Sequence, residues 1–276
     1  MRLSMDYNRE MKWIVMFGSL LAIAYLLFAY VFNPPREPNL QKSSSIISPT
    51  LPTIILTNGK IIEFMYQNQH LIIYAVEVPQ SANISLIPNF SEKETGQTLI
   101  EKNGCEVASN GGFYQENGKA LGLFVSEGLT LGKLIKSNLV NGFFWQDRSG
   151  SRFIDNNPPE NSEADFILQT GPLMTVGRKI SLISDEQSRR ILLALDNKEN
   201  LYINAVVDKE NSYSGPNLAD LPKIFAENDV QQQILFTTLL NLDGGAASFF
   251  YVQSGNKSFS LDELTPIGSL FCIKGI

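Results

Sequence analysis

The run 190-RILLALDNKENLYINAVV-207 decides the fold. Its two apolar halves, 192–195 and 201–207, are too short for core helices, and the polar stretch 196–200 between them has the composition of a hairpin loop. Two paired strands follow from that pattern. Working outward, 61–66 and 71–78 also read as strands. Asn58-Gly59 ahead of them suits the positive φ angles of a tight turn between 54–56 and 61–66. Residues 105–108, 122–125, 143–145, 166–168, 235–240, 249–251 and 269–273 add further short apolar strands. Helical signals are few. Residues 98–102 end at Asn103-Gly104, a left-handed stop, and Leu218, Leu221, Ile224 and Phe225 recur at helical spacing after a capping residue, Asn217. Strands without regular βαβ alternation place the domain in the α+β class, strand-rich and of mixed sheet, with few helices.

The N-terminal part reads differently. No charged side chain occurs from Trp13 to Pro35, and residues 11–32 are long and apolar enough for one transmembrane helix across about 30 Å of hydrocarbon. Trp13 and Tyr30 suit headgroup depth at its ends, and Pro34-Pro35 stops it. The expected layout is an N-terminal cytoplasmic flank over 1–10, the anchor over 11–32, a Pro-, Ser- and Asn-rich linker over 33–52 and one domain over 53–276. Arg2, Arg9 and Lys12 against Arg36 and Lys42 favour an N-terminus inside, which puts the soluble domain of this single-pass membrane protein outside the cytoplasm.

Composition excludes several classes of function. A net charge of −6 without a long basic run argues against a nucleic-acid partner, which needs a cationic face. The single histidine, His70, lies where a strand begins, so chemistry built on several imidazoles is absent. An enzyme here runs on carboxylates, amides, hydroxyls and arginine. Cys105 and Cys272 fit either one disulfide in an oxidising compartment or two buried thiols.

Two glycine pairs each follow an apolar strand: Asn110-Gly111-Gly112-Phe113 and Asn241-Leu242-Asp243-Gly244-Gly245. Glycine lets backbone N–H groups approach a ligand and form an anion-binding nest, although Asn-Gly and Asp-Gly also make plain turns. Gln169-Thr170-Gly171-Pro172 and Arg190 add polar groups of the kind a ligand site needs.

Taken in order, Asn110-Gly111-Gly112-Phe113-Tyr114, Gln169-Thr170-Gly171-Pro172-Leu173, Arg190, the stretch 215–221 and Asn241-Leu242-Asp243-Gly244-Gly245 resemble the phosphodiester glycosidase domain family, from about Thr53 onward. The resemblance implies a hydrolase that cleaves a sugar from a sugar-1-phosphodiester in a glycan or envelope polymer. Such chemistry needs stabilisation of an oxocarbenium-like sugar and a hold on an anionic phosphate leaving group. It points to Arg190 as the phosphate clamp, with Arg189 the alternative in register, because guanidinium matches phosphate oxygens in two-pronged fashion. It points to Asp243 as the essential carboxylate, acting as base, nucleophile or charge stabiliser, with Asp208 as a second catalytic candidate. Asn110, Gly111, Gly112, Gln169, Thr170, Gly171, Asn241, Gly244 and Gly245 are the expected substrate-binding residues. No cofactor is required; a divalent cation on Asp208 and Asp243 is compatible. The family's Gly-Gly-Gly-Ser-Ser after the aspartate is here Gly244-Gly245-Ala246-Ala247-Ser248, with one hydroxyl in place of two. That departure supports an alternative, a non-catalytic glycan- or phosphate-binding module of the same fold.

Overall fold

The computed structural model describes residues 58–115, 117–159 and 164–276. The expected anchor at 11–32, the linker and the strand arm at 54–56 lie outside the described residues. Among the described residues no helix is long and apolar enough to cross a membrane.

The elements in chain order are β1 (Gly59–Tyr66), β2 (Gln69–Val78), β3 (Asn83–Pro88), α1 (Gly96–Asn103), β4 (Val107–Asn110), β5 (Phe124–Ser126), β6 (Leu129–Gly132), β7 (Gly142–Asp147), β8 (Arg152–Asp155), β9 (Ala164–Thr170), β10 (Leu173–Thr175), β11 (Arg190–Asp196) and β12 (Leu201–Asp208). A 3-10 turn (Leu218–Asp220), α2 (Leu221–Ile224), α3 (Asn228–Gln231), β13 (Phe236–Asn241), a second 3-10 turn (Gly245–Ala247), β14 (Phe250–Ser254), β15 (Lys257–Leu261) and β16 (Ser269–Lys274) complete the domain. Three sheets result, ordered β1-β2-β12-β11-β13-β10, β15-β14-β4-β16-β3 and β6-β5-β9-β7-β8. The pairings between these strands are antiparallel. The mixture is therefore of sheets with a few short helices rather than of strand directions.

Alternation explains how the sheets stack, since successive strand side chains point to opposite faces. On β2, Ile72, Tyr74, Val76 and Val78 join a central core that also takes Phe271 and Phe250 from the second sheet and Phe144 and Phe166 from the third. Leu71, Ile73 and Ala75 of the same strand join a second core under Leu218, Leu221, Ile224 and Phe225. A strand buried on both faces must read as a continuous apolar run, as 71–76 does.

The hairpin anticipated at 190–207 is β11 and β12, paired from Arg190 opposite Val206 to Leu195 opposite Leu201. Its loop is closed by Asp196, whose Oδ1 accepts the N–H groups of Lys198 and Asn200. Asn58 has the anticipated positive φ of 55°, and a second positive-φ residue, Gln67, turns β1 back onto β2. The helix near 98–102 is α1, capped by the Thr95 hydroxyl and stopped at Gly104, where φ is 62° and only glycine sits without strain.

The second helix departs from expectation. Instead of one amphipathic helix from Asn217, the chain makes a 3-10 turn and then a single α-turn with Pro222 in its first positions. Asn217 makes no side-chain cap. The caps come from Asp185, whose two oxygens accept the N–H groups of Leu218 and Ala219 at 2.8 and 2.7 Å. The apolar residues are nevertheless buried as their spacing required.

Cys105 and Cys272 form a disulfide, which ties the residues just before β4 to the neighbouring strand β16 across 167 residues of sequence. A cross-link closing a loop of that length removes about 5 kcal/mol of chain entropy from the unfolded state. The Cys105→Ser/Cys272→Ser protein is expected to unfold at clearly lower denaturant than the wild type, with a loss of up to about 5 kcal/mol. Coincident transitions for the reduced and oxidised proteins would contradict this.

Candidate active site

The end of β4, the start of β11 and the end of β13 converge. Main-chain bonds fix the convergence: Asp243 N–H donates to the Gly111 carbonyl at 3.0 Å, and Leu242 N–H to the Ile191 carbonyl at 2.9 Å. The buried amide of Asn110 joins the same loops. Its Nδ2 donates to the carbonyls of Asp243 and Gly111, and its Oδ1 accepts from Phe249 N–H.

Beside this junction lies an open cleft of about 510 Å3, lined by Arg190, Asn241, Asp243, Gly244 and Gly245 together with Phe113, Leu139, Leu182, Asp185, Glu186 and Ser188. Arg190 enters it from the first residue of β11. Its Nε donates to the Pro216 carbonyl at 3.1 Å, and its Nη2 to the Glu186 carbonyl and to Asp185 Oδ1. Nη1 lies against Gly244, 3.5 Å from where a Cβ would stand, and has no hydrogen-bond partner among the described residues. Burial pulls the guanidinium pKa down while Asp185 and Glu186 act in the opposite direction.

Asp243 is the most perturbed acid of the cleft. Burial pushes its carboxyl up to about 7, against a smaller opposing effect of the Gly244 N–H, which donates to Oδ1 at 3.0 Å. A carboxyl titrating near neutrality can exchange a proton at ordinary pH, which an unperturbed aspartate cannot. Tyr114 lies close enough for the Asp243 charge to add to the upward effect of burial on its phenol. Asn241 donates from Nδ2 to the carbonyls of Gly171 and Leu242, and its Oδ1 is buried without a partner.

Arg189 and Arg190 separate cleanly. Arg189 is 1% exposed and its Nη2 holds the carbonyls of Ser248 and Asp262, while its own carbonyl accepts from Gly245 N–H. It locks the 244–248 loop from behind, and Arg190 alone of the two faces the cleft.

The remaining anticipated residues fall in other places. Asp208, at the end of β12, accepts the N–H groups of Glu210 and Asn211 in a turn and does not line the cleft. The fold therefore does not place it with Asp243, and among the described residues no group of three or more His, Cys, Asp or Glu stands together to hold a metal. Gln169 is 2% exposed and all its bonds go to backbone: Oε1 accepts from Leu123 and Ile135, and Nε2 donates to Ile135 and Val140. Thr170 is buried and its hydroxyl donates to the Asn241 carbonyl. Gly111 N–H donates to the Ser269 carbonyl, and a Cβ on Gly111 would stand 2.2 Å from Ser269 Oγ. Gly112 packs on Leu168 and Thr170. Gln169, Thr170 and Gly111, like Asn110, thus bond to protein backbone and shape the loops, and Gly112 packs closely against the third sheet. Asp185, Glu186 and Ser188 went unanticipated because they lie in a polar stretch without periodicity or motif.

Comparison with known proteins identifies the family to which these motifs belong. The phosphodiester glycosidase family model matches residues 103–274, well over half of the chain, and the chain belongs to that family. It is similar to N-acetylglucosamine-1-phosphodiester alpha-N-acetylglucosaminidase of Bos taurus, 26% identical over 202 residues, a match covering 62% of this chain and 35% of that protein. The matched part is thus about a third of the bovine protein's length. Among solved structures, the zebrafish N-acetylglucosamine-1-phosphodiester alpha-N-acetylglucosaminidase catalytic domain, auto-inhibited by its pro-peptide, aligns with a TM-score of 0.55 at 17% identity. That match covers 81% of this chain and 85% of that one. A putative exported protein from Burkholderia pseudomallei aligns with a TM-score of 0.50 at 11% identity, covering 75% of each chain. At these identities the structural likenesses establish the fold.

The pKa of Asp243 has a consequence for stability. In the unfolded chain the group deprotonates near pH 4 and in the fold near pH 7, so between those values the folded chain binds more protons. Its contribution is fully present below pH 4 and is lost as pH rises through 7. Relative to Asp243→Asn, the wild type is expected to lose on the order of 4 kcal/mol between pH 4 and pH 8. Denaturant unfolding of both proteins across that range checks it, and parallel pH dependences would contradict it.

Proposed function

We propose that this chain is a hydrolase that cleaves a sugar from a sugar-1-phosphodiester. One observation carries the reading: Arg190, with a free guanidinium nitrogen, and Asp243, titrating near neutrality, line the same cleft. In the reaction, water oxygen bonds to the anomeric carbon as the bond from that carbon to the phosphate oxygen breaks. The phosphomonoester leaves with the bonding electron pair, and one water proton passes to Asp243. Arg190 Nη1 binds the phosphate, whose charge rises as it departs. Ionised Asp243 offsets positive charge on the sugar ring. A phosphate leaves as a stable anion, so no strong acid is required on the leaving-group side.

We further propose that residues 11–32 anchor the domain to a membrane, with the domain on the outer face acting on a cell-envelope glycan. The Cys105–Cys272 disulfide supports an oxidising compartment. A protease-protection assay in intact cells reads this placement, and a shielded domain would overturn it. A second reading, a glycan- or phosphate-binding module without turnover, draws on two features: the N–H of Gly245 is already bonded to Arg189, and the loop keeps only one hydroxyl.

Assay of the full chain on N-acetylglucosamine-1-phosphodiesters separates these readings. Arg190→Ala and Asp243→Asn are each expected to lower kcat by about 10³-fold, and the wild-type rate should rise with pH through about 7 as Asp243 ionises. Variants as fast as the wild type would remove both assigned roles, and calorimetric binding without turnover would favour the module.

A further inference from the structure

The cleft is poorly matched to a simple anion. Of the residues that line it, Arg190 is the one cation, against three carboxylates, Asp185, Glu186 and Asp243. Asp185 is committed, since its oxygens accept from Leu218 N–H, Ala219 N–H and Arg190 Nη2. Its pairing also consumes part of the charge that Arg190 would bring to a phosphate. Glu186 is different. Its backbone carbonyl accepts from Arg190, while its carboxylate lies on an exposed residue of the cleft lining and has no hydrogen-bond or ion-pair partner among the described residues. Asn241 also lines the cleft, and its buried Oδ1 is an acceptor that finds no donor among the described residues. Acceptors therefore outnumber donors, and negative charge outnumbers positive, at a site where the reading above seats a phosphodiester.

A ligand that resolves both imbalances carries a donor-rich cation beside its phosphate. We propose that the substrate is a zwitterionic sugar phosphodiester, with the phosphate on Arg190 and a protonated amine, borne by the sugar or by the aglycone, on the Glu186 carboxylate. The inference rests on the hydrolase reading and specifies its substrate class. Glu186 is then a specificity residue: it lies close to Arg190 through the main-chain bond, so an amine on Glu186 and a phosphate on Arg190 sit within one small molecule's length.

The test uses the full chain and three probes: the N-acetylglucosamine 1-phosphodiesters of ethanolamine and of ethanol, and the glucosamine 1-phosphodiester of ethanol. The ethanolamine ester puts the amine on the aglycone, the glucosamine ester puts it on the sugar, and the remaining ester has none. At low salt, kcat/KM for one amine-bearing probe is expected to exceed that for the amine-free probe by roughly fivefold, the scale of an exposed ion pair. Which amine probe gains identifies its source. The preference should fall to near one in Glu186→Gln, and in about 0.5 M NaCl, where charges are screened beyond roughly 4 Å. Equal values for the three probes, or a preference unchanged in Glu186→Gln, would overturn the proposal. If the wild type turns over none of them, calorimetric affinities of the same probes decide instead. A Glu186-dependent affinity ratio without turnover would sink the hydrolase reading and keep the amine preference, whereas equal affinities would sink the preference as well.

Discussion

The amide of Asn110 is the constraint on which the rest of the site depends. It sits at the last residue of β4, nearly inaccessible to water, and makes three bonds to backbone groups, one to its neighbour Gly111 and two to the loop between β13 and β14. Leaving any of those groups unpaired inside the domain costs about 1–3 kcal/mol. The amide therefore holds the carbonyl of Asp243 and the N–H of Phe249 at fixed distances from the second sheet. The loop carrying Asp243 belongs to the strand β13 of the first sheet, so this one side chain sets the position of an acidic group from one sheet against a frame provided by another. Arg189 does the same from the opposite side, by gripping the carbonyls of Ser248 and Asp262.

Much of the scaffold was legible in the sequence. The β11–β12 hairpin announces itself because both halves are buried on both faces and the loop is rich in residues that bond their own backbone. α1 announces itself through its glycine stop at Gly104, while its Thr95 cap emerges only from the fold. β3, β6, β8, β10 and β15 escaped notice. They are short, and the alternation that β3 and β15 do carry rests on two buried residues each, Ile84 with Leu86 and Phe259 with Leu261. Their strand geometry is imposed by the neighbours they pair with.

The site was legible in a different sense. Motif order led to Arg190, Asp243 and Asn241, which the fold brings to one cleft. The same reasoning took the Gly111-Gly112 pair for ligand contacts, since glycine reports only that backbone comes close to something. Here that something is protein: Ser269 against Gly111, Leu168 and Thr170 against Gly112. Gln169 similarly has the chemistry of a ligand group and the surroundings of a structural one. Asp185 shows the converse. Its stretch carries no periodicity, and its importance arises only when Leu218, Ala219 and Arg190 arrive from elsewhere in the chain.

The place of β16 bears on how the domain comes into being. Residues 269–274 form a strand between β3 (Asn83–Pro88) and β4 (Val107–Asn110), both made far earlier in the chain. During synthesis β3 and β4 therefore wait as unpaired neighbours, each with an edge open to wrong partners. The middle of that sheet is the last part to be delivered, and it brings Cys272 to Cys105 as it enters. A chain cut short before residue 269 lacks not a peripheral tail but the strand that holds the two sides of this sheet together.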